Sequence, residues 1–165
     1  MRNLGLAKVC LVAGALTACQ TPYGELVRAQ DPPVFETGML SSNELNRLGR
    51  EQLAAGNSGK AEQYFRTAVE KDKDDAPSWI GLAAAYDKLG RFELADRAYD
   101  EAIRLQGESF VIVNNLGYSY LLRGDKRRAL LQFERALALD PANPVVQNNI
   151  RLLRAGERPN RATRL

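Results

Sequence analysis

The chain of 165 residues contains no histidine. That removes imidazole as general base, proton shuttle or metal ligand, and with it any Ser-His-Asp or Cys-His centre. The two cysteines, Cys10 and Cys19, both fall in the first nineteen residues, so there is neither a disulfide framework nor a four-ligand zinc site. Aromatic residues are few, at 7%, and Lys+Arg exceed Asp+Glu only by 23 to 20. This balance does not argue for nucleic acid as a partner. No apolar run is long enough to cross a bilayer as a helix.

The N-terminus reads as an address. Arg2 and Lys8 precede the apolar stretch Val9–Leu16, and small residues follow. A basic start, a short apolar run and a small-residue end make a secretory signal. Leu16-Thr17-Ala18-Cys19 resembles a bacterial lipobox. The resemblance implies cleavage after residue 18, acylation of Cys19 and, with Gln20 rather than Asp next, passage to the outer membrane. Each buried methylene of an acyl chain contributes about 0.8 kcal/mol, so several chains together form a lasting anchor. Residues 19–41 then read as the lipidated Cys and a tether, punctuated by Pro22, Gly24, Pro32, Pro33 and Gly38. As a coil it reaches roughly 25 Å.

From Ser42 the sequence repeats every 34 residues, in units 42–75, 76–109 and 110–143. Leu48, Leu82 and Leu116 align. So do Gly56, Gly90 and Gly124; Ala61, Ala95 and Ala129; Phe65, Tyr99 and Phe133; and Ala68, Ala102 and Ala136. A third small-residue column holds Gly49, Ala83 and Gly117. Each unit predicts two helices joined at the recurrent Gly, where a left-handed residue ends the first helix without Cβ strain. The predicted helices are 42–55, 58–71, 76–89, 92–105, 110–123 and 126–139. A seventh, within a capping segment 144–156, runs over 144–155 and covers the last apolar face with Val145, Val146, Ile150, Leu152 and Leu153, leaving Asn148 and Asn149 to water. Ser41 and Glu44 form a capping box, and Asp75 and Asn143 open later helices.

This period and these columns resemble the tetratricopeptide repeat (TPR). The middle unit carries the resemblance most fully, with Trp79, Leu82, Ala83, Tyr86, Ala95, Tyr99 and Ala102. The fold implied is all-α: a TPR solenoid of three helix pairs with a C-terminal capping helix. The resemblance also implies that first helices line a concave face. Its peptide-binding groove would comprise Asn46, Arg50, Ile80, Ala84, Asp87, Val111, Asn114, Tyr118, Leu121 and Asn148. Asn46, Asn114 and Asn148 recur at one position, where amides can give and take hydrogen bonds with an extended backbone. The basic clamp that some members use for a chain-terminal carboxylate is not reproduced, because Gly81 and Val111 occupy two of its positions.

The whole layout is similar to the small TPR lipoproteins of Tad/Flp pilus assembly, the TadD-like group. That likeness implies a pilotin-like, non-enzymatic scaffold on the periplasmic face of the outer membrane, with a secretin or pilus assembly proteins as partners. A second reading keeps the scaffold and gives it to outer-membrane protein insertion or cell-wall synthesis and hydrolysis. No cofactor, metal, nucleic acid or small-molecule substrate is expected. Gly56-Asn57-Ser58-Gly59-Lys60 lacks the spacing of a phosphate loop, and Asp72, Asp74 and Asp75 lack the loop length, the Gly and the distal Glu of a calcium site. The residues from Arg151 on hold Arg154, Arg158, Arg161 and Arg164 against one acid, Glu157, and 157–165 reads as a basic solvated tail.

Overall fold

A computed structural model of the chain describes residues 36–155. The proposed signal, Cys19, most of the tether and the tail 157–165 lie outside the described residues. A 3-10 turn, Glu36–Met39, precedes seven α-helices: α1 Ser42–Ala54, α2 Ser58–Lys71, α3 Ala76–Lys88, α4 Phe92–Gln106, α5 Phe110–Leu122, α6 Lys126–Leu139 and α7 Pro144–Ala155. Among the described residues there is no strand. The helices pack as the pairs α1–α2, α3–α4 and α5–α6, with α7 laid on α6.

The helix ends follow from local chemistry. Ser41 Oγ accepts from the Glu44 amide, and the Glu44 carboxylate accepts from the Ser41 amide at 2.9 Å. These bonds hold the Glu44 carboxyl below its ordinary range. Asp75, Ser109 and Asp125 cap α3, α5 and α6 through side-chain oxygens. The Asp72–Asp75 cluster is a turn, with Asp72 Oδ1 accepting from the Asp74 amide at 3.0 Å. Gly56, Gly90 and Gly124 have φ of 84°, 72° and 81°, which is why glycine recurs there. Part of the segment expected as tether is ordered onto the repeats: Lys71 Nζ donates to the Gly38 carbonyl at 2.8 Å, and Leu40 packs against the cluster of Leu45, Tyr64 and Ala68.

The conserved-period columns form the core. Ala61, Ala95 and Ala129, and Ala68, Ala102 and Ala136, are fully buried where helices cross. Phe65, Tyr99 and Phe133 fill the interior of each pair; a buried aromatic of this kind contributes roughly 1.5–3 kcal/mol. The core divides into patches. One joins the first two units around Phe65, Leu82 and Tyr99; another joins the third unit to Val146, Ile150 and Leu153 of α7. Asn149, expected to face water, is instead 1% exposed and donates from Nδ2 to Asn114 Oδ1 at 3.0 Å. α7 thus buries an amide together with its apolar stripe.

Candidate functional site: a groove across the first helices

The first helices of the three units present one continuous face. Asn46, Arg50 and Leu53 come from α1, Pro77, Ile80, Gly81 and Ala84 from α3, and Phe110, Val111, Asn114 and Asn115 from α5. Within each helix these residues lie three or four apart, so they share a side of it. Together with Phe65 of α2 and Gln106 of α4 they enclose a groove of about 480 Å³. The lining is mostly apolar, edged by amides, and Arg50 is its one charged residue.

The base of the groove rests on a close approach. A Cβ at Gly81 would lie 2.2 Å from the Phe65 ring, and one at Gly49 would lie 2.8 Å from it. Phe65 therefore sits where α1 and α3 both lack a side chain. This gives a physical reason for Gly81.

Six of the ten sequence-predicted groove residues line this cavity: Asn46, Arg50, Ile80, Ala84, Val111 and Asn114. Val111 is 45% exposed. Asn46 is half-buried and donates from Nδ2 to Ser78 Oγ at 2.9 Å, and Ser78 Oγ in turn donates to Asp75 Oδ2 at 2.5 Å. Asn114 borders the groove but is 5% exposed, and its carbonyl oxygen accepts from Asn149. The expected ladder of free amides is thus partly spent inside the protein.

Asp87 is a correction. Expected to face a ligand, it is 4% exposed, accepting from Ser119 Oγ at 2.6 Å and from Tyr99 Oη at 3.0 Å. Its position holds Leu53 and Leu121 in the other units, so the same site that takes an apolar side chain there takes a hydrogen-bonded carboxylate here. Burial pushes the Asp87 carboxyl up to about 6, and the two hydroxyl donors and Arg123 oppose that rise. Burial, with the charge of Asp87 next, raises the Tyr99 phenol well above its ordinary value.

Tyr118, Leu121 and Asn148 lie outside this cavity's lining. Tyr118 lies beneath Lys88, whose Nζ is 4.4 Å from the ring centroid and 2.8 Å from the hydroxyl. Leu121 packs on the α5–α7 core patch, and Asn148 Oδ1 accepts from Arg151 at 2.5 Å. Leu53 and Pro77 extend the groove on α1 and α3, and Phe65, Gly81, Gln106, Phe110 and Asn115, which complete it, were missed. Gly81 carried a legible signal as a second small residue near Ala83, but its aromatic counterpart is 16 residues earlier on another helix.

Three helix pairs with a groove across their first helices define a helical-repeat binding scaffold. Two models described as tetratricopeptide repeat match residues 52–109 and 112–143, together more than half of the chain, and the chain belongs to that family. It is 28% identical over 115 residues, 67% of its length, to the chloroplastic tetratricopeptide repeat domain-containing protein PYG7 of Arabidopsis thaliana, of which it spans 38%. Its fold is similar to the first TPR domain of Spaghetti (RPAP3) bound to the HSP90 peptide SRMEEVD, with a TM-score of 0.60 at 20% identity, covering 70% of this chain and 92% of that one. It is also similar to Pseudomonas aeruginosa PilF, with a TM-score of 0.59 at 23% identity, covering 74% of this chain and 55% of that one.

Proposed function

We propose that the protein is a lipid-anchored scaffold of the bacterial outer membrane that holds an extended segment of a partner protein in the groove between α1, α3 and α5. The observation that carries the binding part is the groove itself. An apolar floor of Ile80, Ala84 and Val111 with amides at its edges suits a chain whose side chains need burial and whose backbone needs partners. The Asp87 carboxylate is taken up inside the protein by Ser119 and Tyr99. No group of three or more His, Cys, Asp or Glu suited to a metal occurs among the described residues. We read the chain as a binding module and not as an enzyme.

The anchor rests on Leu16-Thr17-Ala18-Cys19 after a signal-like run. Acyl chains on Cys19 would supply the attachment to the membrane. The assembly served is the Tad/Flp pilus, in a pilotin-like role toward a secretin. Support comes from the joint layout of lipobox, short tether, three units and the opening Asn114-Asn115-Leu116-Gly117. Cys19→Ala is expected to leave the precursor uncut, move the protein out of the outer-membrane fraction and disturb secretin assembly with the repeats intact. Normal fractionation and normal assembly in that variant would remove the anchor from the account. A lipidated variant without any effect on secretin would direct the scaffold to another envelope machine.

A further inference from the structure

Arg50 is the one cation among the residues that line the groove. It projects from α1 into the cavity wall, is solvent-exposed, and forms no ion pair or hydrogen bond with a described residue. Arginines elsewhere among the described helices are commonly paired: Arg47 with Glu51, Arg66 with Glu62, Arg104 with Glu101, Arg123 with Asp96 and Arg128 with Asp125. The groove lining contains no acid that could answer Arg50. Asp87, expected on that face, is buried under Ser119 and Tyr99. An unanswered guanidinium beside the apolar surface of Ile80 and Val111 is a mixed site, with a cationic fork at one wall and room for aliphatic or aromatic side chains at the floor.

Building on the proposed groove, we infer that its occupant is an extended internal segment in which an acidic side chain lies next to apolar ones, the carboxylate pairing with Arg50 and the apolar side chains settling over Ile80, Ala84 and Val111. A guanidinium offers two parallel donors to a carboxylate, so the pairing fixes orientation and adds energy together. The acid selects which segments enter, and the apolar contacts supply most of the holding. A chain-terminal carboxylate is not required, since one side-chain carboxylate satisfies the one free cation of the groove.

The test uses the full mature chain and a randomised library of hexapeptides blocked at both ends. Wild type is expected to enrich sequences with Asp or Glu beside Leu, Ile, Val or Phe. Arg50→Glu is expected to replace that acid with Lys or Arg while keeping the apolar positions, and Arg50→Gln to lower affinity for an enriched acidic peptide about five- to tenfold. Val111→Arg, at a side chain already 45% exposed, is expected to abolish enrichment altogether without changing helicity. Enrichment that shows no acidic preference yet is lost in Val111→Arg overturns this inference and leaves the groove in place. Enrichment that survives Val111→Arg, or none at all, overturns both.

Discussion

The junction between the first two units and that between the second and third solve the same stacking problem with different chemistry. At the first, the Phe65 ring enters space left by Gly49 and Gly81, and Ser78 ties the units together by accepting from Asn46 and donating to Asp75. At the second, the aromatic is Tyr99, and its hydroxyl meets Asp87, which Ser119 of the next unit also contacts. Arg123 then grips Asp96 with both terminal nitrogens, at 2.5 and 2.9 Å, and lies 4.9 Å from the Phe92 ring centroid. Lys88 on Tyr118 and Arg135 on Glu108 add two further contacts between these units. The groove runs in front of both junctions, floored at the first by Phe65 and carried across the second by Phe110, Val111 and Asn114. Behind it, the second junction takes up the Asp87 carboxylate inside the protein and pairs Asp96 with Arg123.

The largest expected effect breaks the apolar junction. Phe65→Ala should cost about 3–5 kcal/mol in urea unfolding, the range for emptying a packed aromatic site. Gly81→Ala should cost about 1–3 kcal/mol by overpacking, and Phe65→Leu in the same chain should recover part of that. Additive losses in the double variant would show that Gly81 and Phe65 do not share one space.

The next effect sharpens the polar junction. The Asp87 carboxyl is raised from 3.8 to about 6, so the folded state binds its proton more tightly than the unfolded state does. The stabilisation this gives is fully present below about pH 4 and is lost as pH rises through about 6. Its span is on the order of 2–3 kcal/mol. Glu44 and Asp125, both lowered by backbone hydrogen bonds, act in the opposite sense and lose their contribution as pH falls. The stability of Asp87→Asn relative to wild type should therefore climb between pH 4 and 7. A constant difference over that range would remove the buried carboxyl from the pH response. Ser119→Ala leaves Asp87 with Tyr99 as its remaining hydroxyl donor and should cost about 1–3 kcal/mol at neutral pH in the same unfolding measurement. Asn46→Ala, which removes the Asn46–Ser78 bond at the apolar junction, should cost least, about 0.5–1.5 kcal/mol. A greater loss at Asn46 than at Ser119 would reverse the assignment of the two junctions.

The repeat architecture was legible because it rests on residues that recur at a fixed period. Glycine at 56, 90 and 124 and alanine at 61, 95 and 129 fix the turns and crossings, and the helices begin where their capping residues are. The groove was legible in outline, since the resemblance to the tetratricopeptide repeat implies that Asn46, Arg50, Ile80 and Val111 face inward from the first helices. What the period could not reveal was where one unit departs from its neighbours. Asp87 occupies a leucine position, and only the presence of Tyr99 and Ser119, 12 and 32 residues away, turns it inward. In the sequence Asn149 has nothing to mark it as buried, because its acceptor partner, Asn114, lies 35 residues earlier. Pairings of this kind depend on three-dimensional neighbours whose residue types carry no mark of one another.

The central claim is that a partner segment lies along the first-helix groove. Amide chemical-shift mapping of the mature chain, titrated with a library-enriched peptide, addresses it most directly. The account predicts the largest changes at Asn46, Arg50, Ile80, Ala84 and Val111. Changes gathered instead around the exposed Leu94, Leu131 and Leu139 of the second helices, with the groove amides unmoved, would contradict it.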